Sequence, residues 1–219
     1  MPDWAEHARR EEERYRDGEG RLPGEGDPDA RQRQLTRMGN AAAGCGLSYL
    51  MAGDTTPAGE WFARAVECYR ESFPLAPPGR WGRPIGILKA HILAGDWSGG
   101  EADAAWTLDQ GAAEADSPIG RYAATLALLV LGRDEEARVL ADGLRTHEGF
   151  PAPVANALAF IAAQDPVGYV AAVEEVLDSF EQRDEYLEDL PAADTVLVLQ
   201  ALAGRRSMEA ELSSRLLPA

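Results

Sequence analysis

The chain has 219 residues, of which 37 are acidic and 21 basic, for a net charge of −16. That length suffices for one large domain or two small ones with a substantial core. The acidic balance argues against nucleic acid as partner, because phosphate contacts need clustered Lys and Arg.

Of the basic residues only Lys89 is lysine. A GC-rich genome raises Arg, Ala, Gly and Pro together. The excess of carboxylates does not follow from that, and it points to a halophilic, salt-loaded cytoplasm in which ions screen the self-repulsion of an acidic protein. Acidity of that origin is a solubility trait and says little about a partner.

The first helix is expected from Pro2 to about Arg16, with the pairs Glu6→Arg10 and Glu12→Arg16 one turn apart. The arginines of this region are interleaved with carboxylates, so it reads as a solvated helix surface and not as a basic arm. It lacks the apolar stretch of a signal peptide, and no run in the chain is long and apolar enough for a membrane span, so a cytoplasmic protein is expected. Four glycines and a proline between Gly18 and Gly26 break the helix. Residues 1–26 therefore read as an N-terminal helix with a Gly-rich loop, mobile or separately docked, and 27–219 as a single α-helical, repeat-like domain.

Asp27-Pro28 opens a second helix, to about Ala52, by a cap followed by proline at the first helical position. Its stretch from Ala41 to Gly46 is almost free of side chains and lets a neighbouring helix approach closely. The Gly-x4-Gly-Lys pattern of a phosphate loop is absent. A third helix starts at Thr56-Pro57, with Phe62, Val66, Tyr69 and Phe73 on one stripe and Glu60, Arg64, Glu67 and Glu71 opposite. Pro74, Pro77 and Pro78 end it, and a short helix follows from Ile85 to Ala94.

Further helices are expected at Ala102–Ala113, from Ser117-Pro118 to Leu131, at Glu135–His147, at Ala152–Ala163, from Asp165-Pro166 to Phe180 and at Pro191–Ala203, before an extended tail. The segment from Tyr122 to Leu131 is apolar except for Thr125, so this helix should be buried on all sides. A break recurs between these segments: Gly53-Asp54, Gly95-Asp96, Gly132-Arg133-Asp134 and Gln164-Asp165. Glycine past a helix end takes the left-handed conformation that stops it, and Asp caps the next helix. The spacings of 42, 38 and 31 residues between these aspartates drift around a helix-turn-helix repeat length. The fold expected is all-α, an irregular tetratricopeptide-like stack of antiparallel helical hairpins.

Cys45 and Cys68 lie on apolar helical segments without a CxxC pair and read as buried thiols. His91, near Trp81, Arg83 and Lys89, defines a candidate small-molecule cleft, against the commoner role of a satisfied core histidine. No zinc or di-iron spacing accompanies any histidine, so no metal and no cofactor are expected. Glu174, Asp178, Glu181 and Glu185 follow at helical spacing, joined by Glu175, Asp184, Glu188 and Asp189. They form either a solvated acidic face or a dock for a basic protein partner; a divalent-metal site is the third alternative, though no EF-hand loop is written here. Trp61 and Trp106 read as core. Trp81 and Trp97, near helix ends in Gly-rich surroundings, are candidate partner anchors.

The stretch Arg183-Asp184-Glu185-Tyr186, then the apolar helix from Thr195 to Ala203, then Arg205-Arg206 and a closing run through Leu217-Pro218, resembles the end of the immunity protein 49 family of bacterial toxin systems. The resemblance implies an all-helical cytoplasmic protein that binds and neutralises a toxin. The functional expectation is thus non-catalytic protein binding, as an immunity protein. The alternative is an enzyme or sensor using the Trp81, Arg83 and His91 cleft.

Overall fold

The structure is a computed structural model, and it describes residues 2–24 and 26–218. Among these residues it contains ten α-helices and no strand, as the all-α expectation requires. The helices are α1 (Trp4–Gly20), α2 (Pro28–Met51), α3 (Thr55–Ser72), α4 (Gly82–Ala94), α5 (Trp97–Asp109), α6 (Pro118–Val130), α7 (Asp134–Arg145), α8 (Ala152–Ala163), α9 (Pro166–Glu181) and α10 (Asp194–Gly204). None is long and apolar enough to cross a membrane.

The recurring break is realised at all four positions. Gly53, Gly95 and Gly132 have φ of +86°, +69° and +69°, and Gln164 takes the same left-handed turn at φ 51° without the help of glycine. The aspartates that follow divide. Asp96 accepts from Gly99 N at 3.0 Å, and Asp165 accepts from Val167 N at 3.1 Å and Gly168 N at 3.0 Å, as N-caps should. Asp54 makes no capping bond, and Asp134 is the first residue inside α7 with its carboxylate turned to Arg206. Capping at those two breaks was expected and does not occur.

Several boundaries also shift: α4 starts at Gly82 and not Ile85, α5 ends at Asp109 and not Ala113, and α10 starts at Asp194 and not Pro191. α1 runs past Arg16 to Gly20, because Gly18 packs against Met38 at a distance no side chain tolerates: a Cβ there would sit 2.6 Å from Met38 Cγ. α5 starts at Trp97, earlier than Ala102, because the Asp96 cap carries the helix through Gly99 and Gly100.

By internal contacts the chain divides into two compact units. The first holds residues up to Gly95, the segment Asp184–Ala192 and the chain end from Arg215; the second holds Asp96–Arg183 and Ala193–Ser214. In the first unit α1 packs on α2, α2 on α3 and α3 on α4. The small residues of α2 allow the close approach anticipated for them. The ring of Tyr69 occupies the space a Cβ on Gly39 would need, and that of Phe62 the space of one on Gly46. Both thiols are buried there.

In the second unit each of α5 to α9 packs on the next, and α10 packs on α8 and α9. Every residue of α6 from Tyr122 to Val130 is buried, so the apolar helix is central as expected. Gln200 of α10 donates to Ala210 O of the tail at 2.7 Å and accepts from Ala210 N at 3.0 Å, while Tyr169 Oη donates to Gln200 Oε1 at 2.6 Å.

Candidate functional site

The acidic ridge survives along α9 and stops with it. Glu174, Glu175, Asp178 and Glu181 are exposed on the face opposite Val173, Val176, Leu177 and Phe180, which are buried. Gln182 closes the helix, so Glu185 does not continue the row at helical spacing; it is exposed within the segment that belongs to the first unit. Asp184 is exposed in that same segment, and Glu188 is half-buried in an ion network described below.

Among the described residues Glu174, Glu175 and Asp178 have no basic partner, and Glu181 accepts only from Ser214 Oγ, at 2.6 Å. Some carboxylates elsewhere are paired with an arginine three or four residues away, as in Arg16–Glu12, Arg33–Asp29, Arg133–Glu136 and Arg138–Asp142. α9 carries no basic residue at all.

Of the tryptophan anchors, Trp81 is buried with its ring 6.0 Å from that of Phe73. Trp97 is half-buried at the start of α5, and the guanidinium of Arg205 lies 4.5 Å from its ring centroid. Trp97 thus keeps surface to offer, and Trp81 does not.

The cleft residues are not gathered. Arg83 and His91 are eight residues apart on α4, about 12 Å along its axis. Arg83 is buried and turned to its own neighbours: Nε donates to Ser72 Oγ at 2.7 Å and Nη2 donates to Gln32 Oε1. Ser72 Oγ in turn donates to Gln32 O at 2.8 Å, and Gln32 Nε2 donates to Asp29 at 3.1 Å. Burial, with the charge of Arg80, pushes the Arg83 guanidinium below its ordinary pKa. Lys89 and His91 are half-buried.

A second polar constellation is not legible in the sequence. Glu11 of α1 is fully buried and accepts from Arg10 Nε at 3.0 Å and Arg14 Nη1 at 2.7 Å. Arg14 Nη2 reaches Glu188 Oε2 at 2.5 Å, and Arg10 Nη2 donates to Glu188 O at 2.6 Å. Asn40 of α2 donates to Glu188 Oε1 at 3.3 Å and accepts from Tyr69 Oη at 2.8 Å. Six residues from α1, α2, α3 and the 184–192 segment therefore share one network. Periodicity could not announce it, because Glu11 stands in a run of three glutamates flanked by arginines that reads as solvated.

On the outer side of α1, Asp3, Glu6, His7, Arg9, Arg10 and Glu13 line an open cleft of about 430 Å³. Its carboxylates and cations are mixed. Among the described residues no group of His, Cys, Asp and Glu is placed to hold a metal ion. Comparison with protein-family models, curated proteins and solved structures finds no match to this chain.

Proposed function

We propose that this chain is a non-catalytic, protein-binding helical protein that neutralises a toxin in the cytoplasm, with the exposed carboxylates of α9 steering a basic partner into place. The observation that carries the reading is the unpaired charge of α9. Asp178 and Glu181 lie in its last turns, where the negative end of the helix dipole disfavours carboxylates by about 0.3 to 1 kcal/mol each. Helix stability therefore does not account for them. A row of one sign on an exposed helix raises the encounter rate with an oppositely charged protein and fixes its orientation.

Trp97 supports the reading from within the same unit, as a half-exposed aromatic backed by Arg205. In a salt-rich cytoplasm the charge contribution weakens, and such an anchor carries more of the affinity. The likeness of the C-terminal stretch to immunity protein 49 favours a toxin as that partner. The test is co-expression with the reading frames that flank its gene. The proposal expects one of them to arrest growth alone and to be relieved by this protein. Neighbouring frames that are harmless, or toxic but not relieved, overturn it.

A further inference from the structure

The segment 184–192 leaves α9, docks in the first unit and returns to α10. It is held there at two points. Glu188 joins the network of Arg10, Arg14 and Asn40, and Leu190 is buried against α2, with its Cδ1 3.0 Å from where a Cβ on Gly44 would stand. Between them the backbone adopts an uncommon shape, since Glu188 and Asp189 are consecutive non-glycine residues with φ of 54°. Such conformations persist only where the surroundings over-determine them, and they gather at clamps and switches.

The buried residues of α1 are Ala8, Glu11, Tyr15 and Gly18, a narrow stripe with one large ring, which meets Trp61 of α3 edge-on at 5.4 Å. Apolar burial alone is a weak reason for α1 to stay docked. The ion network adds to it, and the links that run from α1 through the network to another element end on Glu188 of the 184–192 segment. We infer that segment 184–192 is the catch of a clasp, and that α1 remains docked on α2 only while the catch is seated. This goes beyond the protein-binding reading and does not depend on it.

Two thiols lie under the clasp. Cys45 Sγ donates to Ala8 O of α1 at 3.4 Å, and the hydroxyl of Tyr15 is set against Cys68. Burial pushes the thiols up to about 12 and about 11, so both are unreactive while α1 covers them. Cys45 is therefore a built-in reporter of α1 docking.

The experiment is alkylation of Cys45 by iodoacetamide in full-length Cys68→Ala protein under native conditions, with amide hydrogen exchange measured in parallel. Glu188→Gln and Leu190→Ala, both in the catch, should accelerate alkylation of Cys45 and exchange in α1 by about tenfold or more, as for losing roughly one charge-assisted hydrogen bond. Exchange in α3 and α4 should change far less. Arg14→Gln, on α1, should accelerate exchange at Leu190 and Ala192, because coupling between two docked elements is reciprocal. Glu175→Gln, on α9, is the control and should change neither. Unaltered Cys45 and α1 rates in the catch variants overturn the inference. So does a rise in α3 and α4 as large as that in α1, which marks global unfolding.

Discussion

Arg206, the second residue after α10, is paired with Asp134 at the first position of α7, 72 residues earlier in the chain. Arg206 Nε lies 3.1 Å from Asp134 Oδ2, Nη2 donates to Oδ1 and, at 2.9 Å, to Leu129 O, and Nη1 donates to Leu202 O. Arg205 beside it donates to Val130 O at 2.7 Å. Two cations thus satisfy carbonyls at the C-terminal end of α6, where the helix dipole favours positive charge.

Breaking this pair should be costly. The side chains of Arg206 and Asp134 are only 8% and 18% exposed, so Arg206→Ala leaves a largely buried carboxylate and is expected to lower stability by about 3 kcal/mol. Urea unfolding measures it. A loss below about 0.5 kcal/mol, the scale of ordinary surface substitutions, would contradict the role given to Arg206.

The same pair has a pH signature. Burial raises the pKa of Asp134, but the bonds from Arg206 and Gln164 outweigh it and hold the carboxyl below its ordinary 3.8. A depressed folded-state pKa stabilises the fold at pH above the unfolded value, and that contribution is lost as pH falls through the folded value. Below pH 3.8 the unmodified protein should therefore lose stability more steeply than Arg206→Ala. Parallel acid-unfolding curves would count against this.

Tyr69 makes a separate prediction about packing. Its ring fits between Gly39 and Gly86, where Cβ atoms would come within 2.7 and 2.6 Å of it, and its hydroxyl is bonded to Asn40. Gly39→Ala and Gly86→Ala should each cost about 1 to 3 kcal/mol by overpacking. Tyr69→Phe should cost about 1 kcal/mol for the lost hydrogen bond. Equal stability of Gly39→Ala and the unmodified protein by denaturant titration would contradict the fit.

The elements that were legible in the sequence are those whose cause is local. Asp27-Pro28, Ser117-Pro118 and Asp165-Pro166 each start a helix at the position their chemistry dictates. The left-handed stops at Gly53, Gly95 and Gln164 are local too. Gly18 reads as a breaker in the sequence, whereas in α1 it packs against Met38, twenty residues away. Asp134 reads as a cap in the sequence, but Arg206 claims it across 72 residues. Of the candidate site, the α9 carboxylates followed from period alone. Glu185 and Glu188 did not, since the end of α9 and the left-handed turn at Glu188 depend on where the following segment docks.

Net charge gives a prediction about medium. At −16, self-repulsion is unscreened in dilute buffer and screened in molar salt. The thermal midpoint should rise between dilute buffer and molar KCl. A midpoint unchanged or lowered would remove the ground for a halophilic origin.

The proposal that α9 steers a basic protein partner is tested most directly by association kinetics with whichever partner co-expression recovers. Glu174→Gln, Asp178→Asn and Glu181→Gln should be combined in one variant and its on-rate compared with the unmodified protein at low and at molar salt. The account predicts a fall on the order of tenfold at low salt that vanishes at high salt, with the off-rate little changed. An on-rate identical to the unmodified protein at low salt would contradict it, leaving α9 as a solvated face.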